Sequence, residues 1–395
     1  MTRGRASALV VGMLALVAWD GGTAPSALLP PSASADAAAS LPRACAYLWA
    51  QQGADGGWHS RTYGLMRTGQ ALTPFVLYTL LIAPRTSCPP PAKGVLRALG
   101  FLRRHVDREG RLGAEDPDVL EYPNYSTAYG LRCLVRAGSR DDRPLIEKMR
   151  ARLVAEQFAP ASGFTEESLA YGGWGFGGAR DPGHPGHMDL SHTRKVLQAL
   201  REAGTDEADV FDRALVFLRL MQRDPSETRP HPTPRSGVAD PPRGLRFDGG
   251  FFFSPIVLDA NKGAVLADER GRFHGSYATA TGDGLLALLA AGLPRDDRRV
   301  QAARDWLVGH EALDRPDGIP QDGPQAWDQA LDFYHLAVRA EAYAALGLSE
   351  RLAERMPRVL GPRQRRDGSF ANERNHLMKE DDPLLATTLA VAALR

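Results

Sequence analysis

Apolar residues return at spacings of three and four along most of the chain, the period of a helix. They do so in two alternating kinds of segment. Segments of the first kind are amphipathic and run into a short glycine-rich turn that carries an aromatic or other apolar residue. The fullest are AYLWAQQGADGGWHS at 46–60, ALGFLRRHVDREGRLG at 98–113, ALVFLRLMQRDP at 214–225 with FDGGFFF at 247–253, AARDWLVGHEALDRPDGIP at 302–320 and RVLGPRQRRDGSF at 358–370. A further copy, at 148–164 with YGGWGF at 171–176, is the most degenerate. Segments of the second kind are rich in small residues and apolar around most of their circumference. They occupy 73–83, 125–138, 189–204, 276–292, 332–347 and 381–394, and Gly138, Gly204 and Gly292 stand where a helix C-cap is expected.

The unit is therefore a first helix, a Gly-aromatic turn and a more apolar second helix, repeated six times. A helix apolar on all sides needs cover on all sides, whereas an amphipathic helix needs it on one. Both demands are met by an all-α fold, an α/α toroid of six hairpins with the second helices as an inner ring and the first helices outside. An open superhelix would leave the Ala-rich faces wet. The aromatic residue after each glycine pair is expected to pack into the seam between neighbouring hairpins, with the glycines turning the backbone tightly beneath it.

Composition adds boundaries. With 395 residues and 43% apolar content the chain can bury a large core, and a net charge of +1 without a basic run excludes a nucleic-acid partner. Arg3 and Arg5 precede an apolar run from Ala6 to Trp19, and Ala33-Ser34-Ala35 offers a small-x-small cleavage site. This is the layout of a secretory signal. The expectation is a signal at 1–35, a linker at 36–43 and one domain from 44 to 395, periplasmic or extracellular, with an uncleaved N-terminal anchor as the alternative. No segment of the mature chain is long and apolar enough to cross a bilayer. Of the cysteines Cys45, Cys88 and Cys133, the last sits in an apolar helical pattern, and a Cys45–Cys88 disulfide is one arrangement open to the other two.

The succession of helix, Gln, Asp-Gly-Gly/Ser and Trp/Phe resembles the repeat shared by squalene cyclases and protein prenyltransferase β subunits. EYPNYSTA (121–128), DLSHT (189–193), DGGFFFSP (248–255) and the stretch 367–394 resemble an exported bacterial branch of that superfamily. The resemblance spans nearly the whole mature chain. It implies the toroid and a central cavity for an apolar, isoprenoid-like ligand or lipid. It does not carry the family chemistry over intact. Cyclases use Asp-x-Asp-Asp-Thr-Ala to hold a protonated acid, and this chain has Lys379-Glu380-Asp381-Asp382-Pro383, where the lysine favours the ionised carboxylate. The prenyltransferase zinc triad of Asp, Cys and His lacks its cysteine beside Asp283 or Asp332.

Candidate chemistry gathers at the N-terminal ends of the inner helices, which share one mouth of the ring. Asp381, Asp382, Asp283 and Tyr277 are the candidate catalytic residues, and Tyr125, Asp189, His192, Tyr334 and His335 the candidate ligand-binding ones. Helix capping accounts for the carboxylates one at a time but not for the histidines and tyrosines. No cofactor is expected. Zinc is the alternative, with Asp332 and His335 as ligands, because Asp-x-x-His places both side chains on one helical face, as it also does for Asp189 and His192. Two other readings stand beside the isoprenoid one: a non-catalytic scaffold, and a polysaccharide lyase or hydrolase using Asn124, Tyr125, Asn372, Asn375 and His376. The Pro-rich stretch 224–246 is expected to cover one mouth, and 177–188, with His184 and His187, to form a lid.

Overall fold

The alanine-rich stretch Ala35–Ala50 forms the first helix, α1. Residues 36–43, expected as a linker, belong to it: Ala-Asp-Ala-Ala-Ala-Ser has little that opposes a helix, and the inserted Pro42 forfeits one hydrogen bond. The structure, a computed structural model, describes residues 35–113, 121–177, 183–234, 247–268 and 271–395. The expected signal segment, part of the lid and the end of the Pro-rich stretch lie outside the described residues. After α1 come α2 (Leu72–Ile82), α3 (Ala92–His105), α4 (Pro123–Ala137), α5 (Arg143–Ala155), α6 (Leu190–Glu202) and α7 (Ala208–Met221). A β-hairpin, β1 (Val265–Asp268) and β2 (Gly271–His274), precedes α8 (Ala278–Ala291) and α9 (Arg298–Gly309). The chain ends with the single turn α10 (Trp327–Ala330), α11 (Asp332–Leu346), the short α12 (Glu350–Ala353) and α13 (Arg355–Leu360), and α14 (Pro383–Leu394).

Of the described residues 53% are helical, short 3-10 turns included. Helices α2, α4, α6, α8, α11 and α14 each pack on the next, and α14 packs back on α2, which closes the inner ring. Around it α3 lies on α2 and α4, α5 on α4 and α6, α7 on α6 and α8, α9 on α8, and α1 and α13 on α14. The division follows the sequence pattern: in α8 only Leu289 escapes full burial, while α3 buries a single stripe, Gly94, Ala98, Leu99, Phe101 and Leu102. The toroid is thus built as the periodicity predicts. The hairpin, with Leu266 opposite Phe273 in antiparallel register, is an addition that the helical reading did not contain.

The turn between the two helices of a hairpin is a clasp built the same way several times. In the third, Trp174 is fully buried, its indole N–H donates to Leu153 O at 2.7 Å, and its backbone N–H donates to Thr193 Oγ1 at 3.0 Å. The equivalent backbone N–H of Trp58, Leu112, Phe251 and Phe370 donates to Thr73, Thr127, Thr281 and Thr387 of the following inner helix. Gly172 has φ +84°, and a Cβ there would stand 1.8 Å from Arg213 O of α7, the outer helix of the next hairpin. The recurring glutamine serves the same joint. The amides of Gln52, Gln157, Gln222 and Gln364 each donate to the clasp glycine carbonyl and to the next outer helix, at Gly94, Val210, Arg299 and Ser40. Because Ser40 belongs to α1, the sixth clasp grips the first helix. Gly368 would meet Arg43 O at 2.5 Å if it carried a Cβ. Cys45 of α1 is joined to Cys88 by a disulfide, and Cys133 is a buried free thiol. Among the described residues no helix is long and apolar enough to cross a membrane.

Candidate functional site

Asp189 caps α6. Its Oδ1 accepts from the backbone N–H of His192 at 2.9 Å and from Ser191 Oγ at 2.8 Å, which fixes the first turn. Its Oδ2 lies 2.8 Å from His192 Nδ1 and 3.5 Å from His187 Nε2. Burial by itself would raise the Asp189 carboxyl, but the two imidazoles and these hydrogen bonds hold it well below the usual range. His192 is 4% exposed, and among the described residues its Nε2 has no partner. A buried acceptor left unmade costs about 1–3 kcal/mol. The ring stands edge-on to Tyr125 at 4.3 Å and lies 4.6 Å from Phe176, whose other side carries His187 at 4.1 Å.

Below this layer the ring interior is charged. Arg194 of α6 reaches Asp283 of α8 at 2.6 Å and also bonds Glu341 of α11. Tyr334 donates to Asp283 at 2.9 Å, and Lys195 stands 3.6 Å from Glu341. Burial raises Asp283, which shares Arg194 with a second acid. Glu341, despite its burial, is held well below the carboxylate range by Arg194, Lys195 and Arg132. Burial, with Arg194 adding to it, pushes the Lys195 amine down to about 7. Deeper still, Arg132 pairs with Glu202 at 2.6 Å and lies over the Tyr78 ring.

At the rim, Lys262 sits 4.4 Å from the Phe253 ring centroid and 4.7 Å from that of Trp327, with its Nζ donating to Ala260 O at 2.8 Å. Burial lowers it to about 8 against the pull of Asp189 and Asp283. Phe253 is tied to the start of α6, its carbonyl accepting from Leu190 N at 2.9 Å. Glu380 accepts from the backbone N–H groups of Phe333 and Tyr334 at 2.7 and 2.9 Å, setting the start of α11 and with it Tyr334. Burial pushes its carboxyl up to about 8.

The structure brings Tyr125, Asp189, His192, Asp283 and Tyr334 together with Tyr277 beside them, and it gives Asp332, His335, Asp381 and Asp382 other partners. Asp332 is engaged by Arg363 and, at 2.9 Å, by Arg374, while His335 Nε2 is bonded to Ala312 O at 2.8 Å. The Asp332 carboxylate is thus committed to two arginines and His335 Nε2 to a carbonyl, which is where the structure places the two residues named for the zinc alternative. Among the described residues no three His, Cys, Asp or Glu side chains are grouped as metal ligands. Asp382 caps α14 through Leu384 and Leu385 N–H and takes the Ser60 hydroxyl, and Asp381 accepts from Tyr63. Both are structural rather than the acid of the ring interior. Tyr277 is 1% exposed and in contact distance of Gly263 and Gly318, and burial together with the Asp283 and Asp189 carboxylates holds its phenol well above the usual range, so it borders the same cluster. Asn124 is likewise structural, its amide donating to Gly175 O.

Arg194, Lys195, Glu341 and Lys262 were not among the sequence candidates. The first three carry a signal in retrospect, as charges inside helices otherwise apolar on every side. A cavity of about 680 Å³ lies elsewhere, outside the ring between the β-hairpin and α9, lined by Leu266, Phe273, Trp306 and His310 among others. The mouth, not this cavity, holds the buried acid, base and cation cluster, and functional sites are where such groups are forced together.

No protein-family profile matches the chain, and no characterised sequence does. Solved structures do match. UGL paired with dGlcA-Glc-Rha-Glc is 12% identical, covering 91% of this chain and 95% of that one with a TM-score of 0.51. An α-amylase from Clostridium perfringens is 8% identical, covering 93% and 100%, also at 0.51. A type II terpene cyclase from Scytonema is 15% identical over 91% and 98%, with a TM-score of 0.49. At the identities of the first two the likeness is one of architecture, the α/α toroid.

Proposed function

We propose that the chain is an exported toroid whose mouth binds an amphiphile, with the apolar, isoprenoid-like body held among aromatic side chains and the polar end directed to the charged interior. One observation carries this: Tyr122, Tyr125, Phe176, Phe253, Trp327 and Tyr334 are all only partly buried, and they gather near the starts of the inner helices, the first three against one another or His192, Tyr334 on Asp283, and Phe253 and Trp327 about Lys262. Large rings are ordinarily buried, and their clustering around an opening marks a surface that receives an apolar partner. Polar groups at the base of such a mouth fix orientation. The charges weigh against proton-initiated cyclisation. A carbocation gains little from aromatic faces already occupied by the Lys262 ammonium, and Asp283 is bonded to a guanidinium. The same fold serves an α-amylase, so the fold does not choose between lipid and sugar; the partly exposed rings and their apolar faces favour the former. Export is supported by the Cys45–Cys88 disulfide, which belongs to an oxidising compartment.

The test is displacement of Nile red from detergent-free protein. Farnesol is expected to displace the dye, and Tyr125→Ala and Trp327→Ala are each expected to weaken its binding about five- to tenfold, the scale of one lost aromatic contact. Displacement by soluble oligosaccharides in place of farnesol would establish the glycan reading. N-terminal sequencing of protein exported by a bacterial host is expected to begin at residue 36; a retained Met1 would remove the export claim.

A further inference from the structure

We propose that the mouth selects for a hydrogen-bond donor on its ligand and that His192 Nε2 is the atom that reads it, so that the occupant is an alcohol-type amphiphile and not a bare hydrocarbon. The inference rests on the apolar-ligand reading above. Its first step is the tautomer. Asp189 is buried and held ionised by its neighbours, so its oxygens can only accept. The 2.8 Å contact from His192 Nδ1 to Asp189 Oδ2 therefore places the proton on Nδ1. In its neutral form an imidazole protonated there presents a bare lone pair at Nε2.

The second step is that none of the described residues supplies a donor for that lone pair. Nε2 is buried without a partner, and what surrounds the imidazole is ring surface, Tyr125 at 4.3 Å and Phe176 at 4.6 Å between centroids. Ser191, the nearest hydroxyl along the helix, gives its proton to Asp189. The Tyr125 hydroxyl is engaged with Ser191 and Tyr334, and Tyr334 in turn with Asp283. With no described residue left to give it, the donor is assigned to the ligand. His231 and His274 also carry bare ring nitrogens, but they flank Phe252, which is fully buried. His192 alone of the three stands behind the partly exposed rings of the mouth. His187 lies 4.1 Å from the Phe176 ring centroid, with its side chain 36% exposed.

A site built to hydrogen-bond a hydroxyl discriminates strongly against the analogue that lacks it, because its buried polar atom is then left unpaired. The experiment is binding of farnesol, farnesyl methyl ether and farnesene to the full chain, followed by tryptophan fluorescence and calorimetry. Farnesol is expected to bind at least about tenfold tighter than the ether or the hydrocarbon. In His192→Phe the preference is expected to vanish while all three still bind. In His192→Gln, which keeps an acceptor, part of it is expected to return. Circular dichroism melting confirms that each variant folds, and the comparison in the unmodified protein stands without them. Equal affinity for the three ligands would overturn the donor selection and leave the apolar mouth intact. Failure of all three to bind would overturn the apolar reading itself, and with it this inference.

Discussion

Arg194 satisfies two acids with one guanidinium, Asp283 on α8 and Glu341 on α11, from a position with no exposed surface. Replacing it with methionine leaves the buried Asp283 with the Tyr334 hydroxyl but no cation and Glu341 with Lys195 alone among cations, which is expected to cost about 3 kcal/mol. Urea unfolding monitored by circular dichroism measures this. Lys195→Met is expected to cost less than about 1 kcal/mol, since burial already disfavours its charge. Buried imidazoles set the acid limit. Burial lowers His231 and His335 to about 3 and His274 to about 4. In the unfolded chain they would take protons near pH ~6.5. The unfolded state thus binds more protons below that point, and stability is expected to fall as pH drops from about 6.5 towards 4 and below. A pH series of melting temperatures checks the sign, and His335→Gln should flatten it. At this scale the sequence was legible where helix starts cluster: Asp189, His192, Tyr125, Asp283 and Tyr334 follow from counting turns. It was not legible for Lys262 and Trp327, whose position depends on loops folding back over the ring. For Asp332 and His335, a spacing of three says that two side chains share a face but not which neighbour that face meets.

The clasp makes the element-scale argument sharper, because glycines of equal sequence rank differ in what surrounds them. Gly172→Ala would drive a methyl group into Arg213 O at 1.8 Å and is expected to cost upward of about 3 kcal/mol. Gly138→Ala, with φ +68° and nothing within 4 Å, should cost only about 1 kcal/mol for the left-handed backbone. Thr193→Val removes the acceptor for the buried Trp174 N–H and is expected to cost about 1–3 kcal/mol. Thermal unfolding of the three variants ranks them. The hairpin repeat was readable because its signals recur: one noisy copy means little, six aligned copies fix a period. The recurring glutamine was visible in that alignment, but its bridging of two backbones needed the neighbouring helix in place. The β-hairpin escaped because each strand is four residues long and occurs once.

Across the whole molecule, five joints between hairpins are spanned by the polypeptide, and the sixth is held by contact alone. There Arg43 of α1 donates to Arg365 O at 2.8 Å across 322 positions of sequence, beside the Gly368 clasp. The Cys45–Cys88 bridge, closing 43 positions, anchors α1 to the loop that leads into α3, and its reduction is expected to lower stability by about 2–4 kcal/mol, read from melting with and without reductant. The contact-only joint also sets a timetable. Helix α1 is made first, yet its partners α13 and α14 are made last, so the side of it that meets them stays uncovered until the final hairpin arrives, while Trp58 and α3 cover only the other. Contacts so distant along the chain pay their loop-closure entropy late and slow the reaction that forms them. In pulse-labelled hydrogen exchange during refolding, α1 and α14 are expected to gain protection after α4, α6 and α8, and a chain stopped before residue 355 should remain aggregation-prone, with its opening edge still waiting for its closing one.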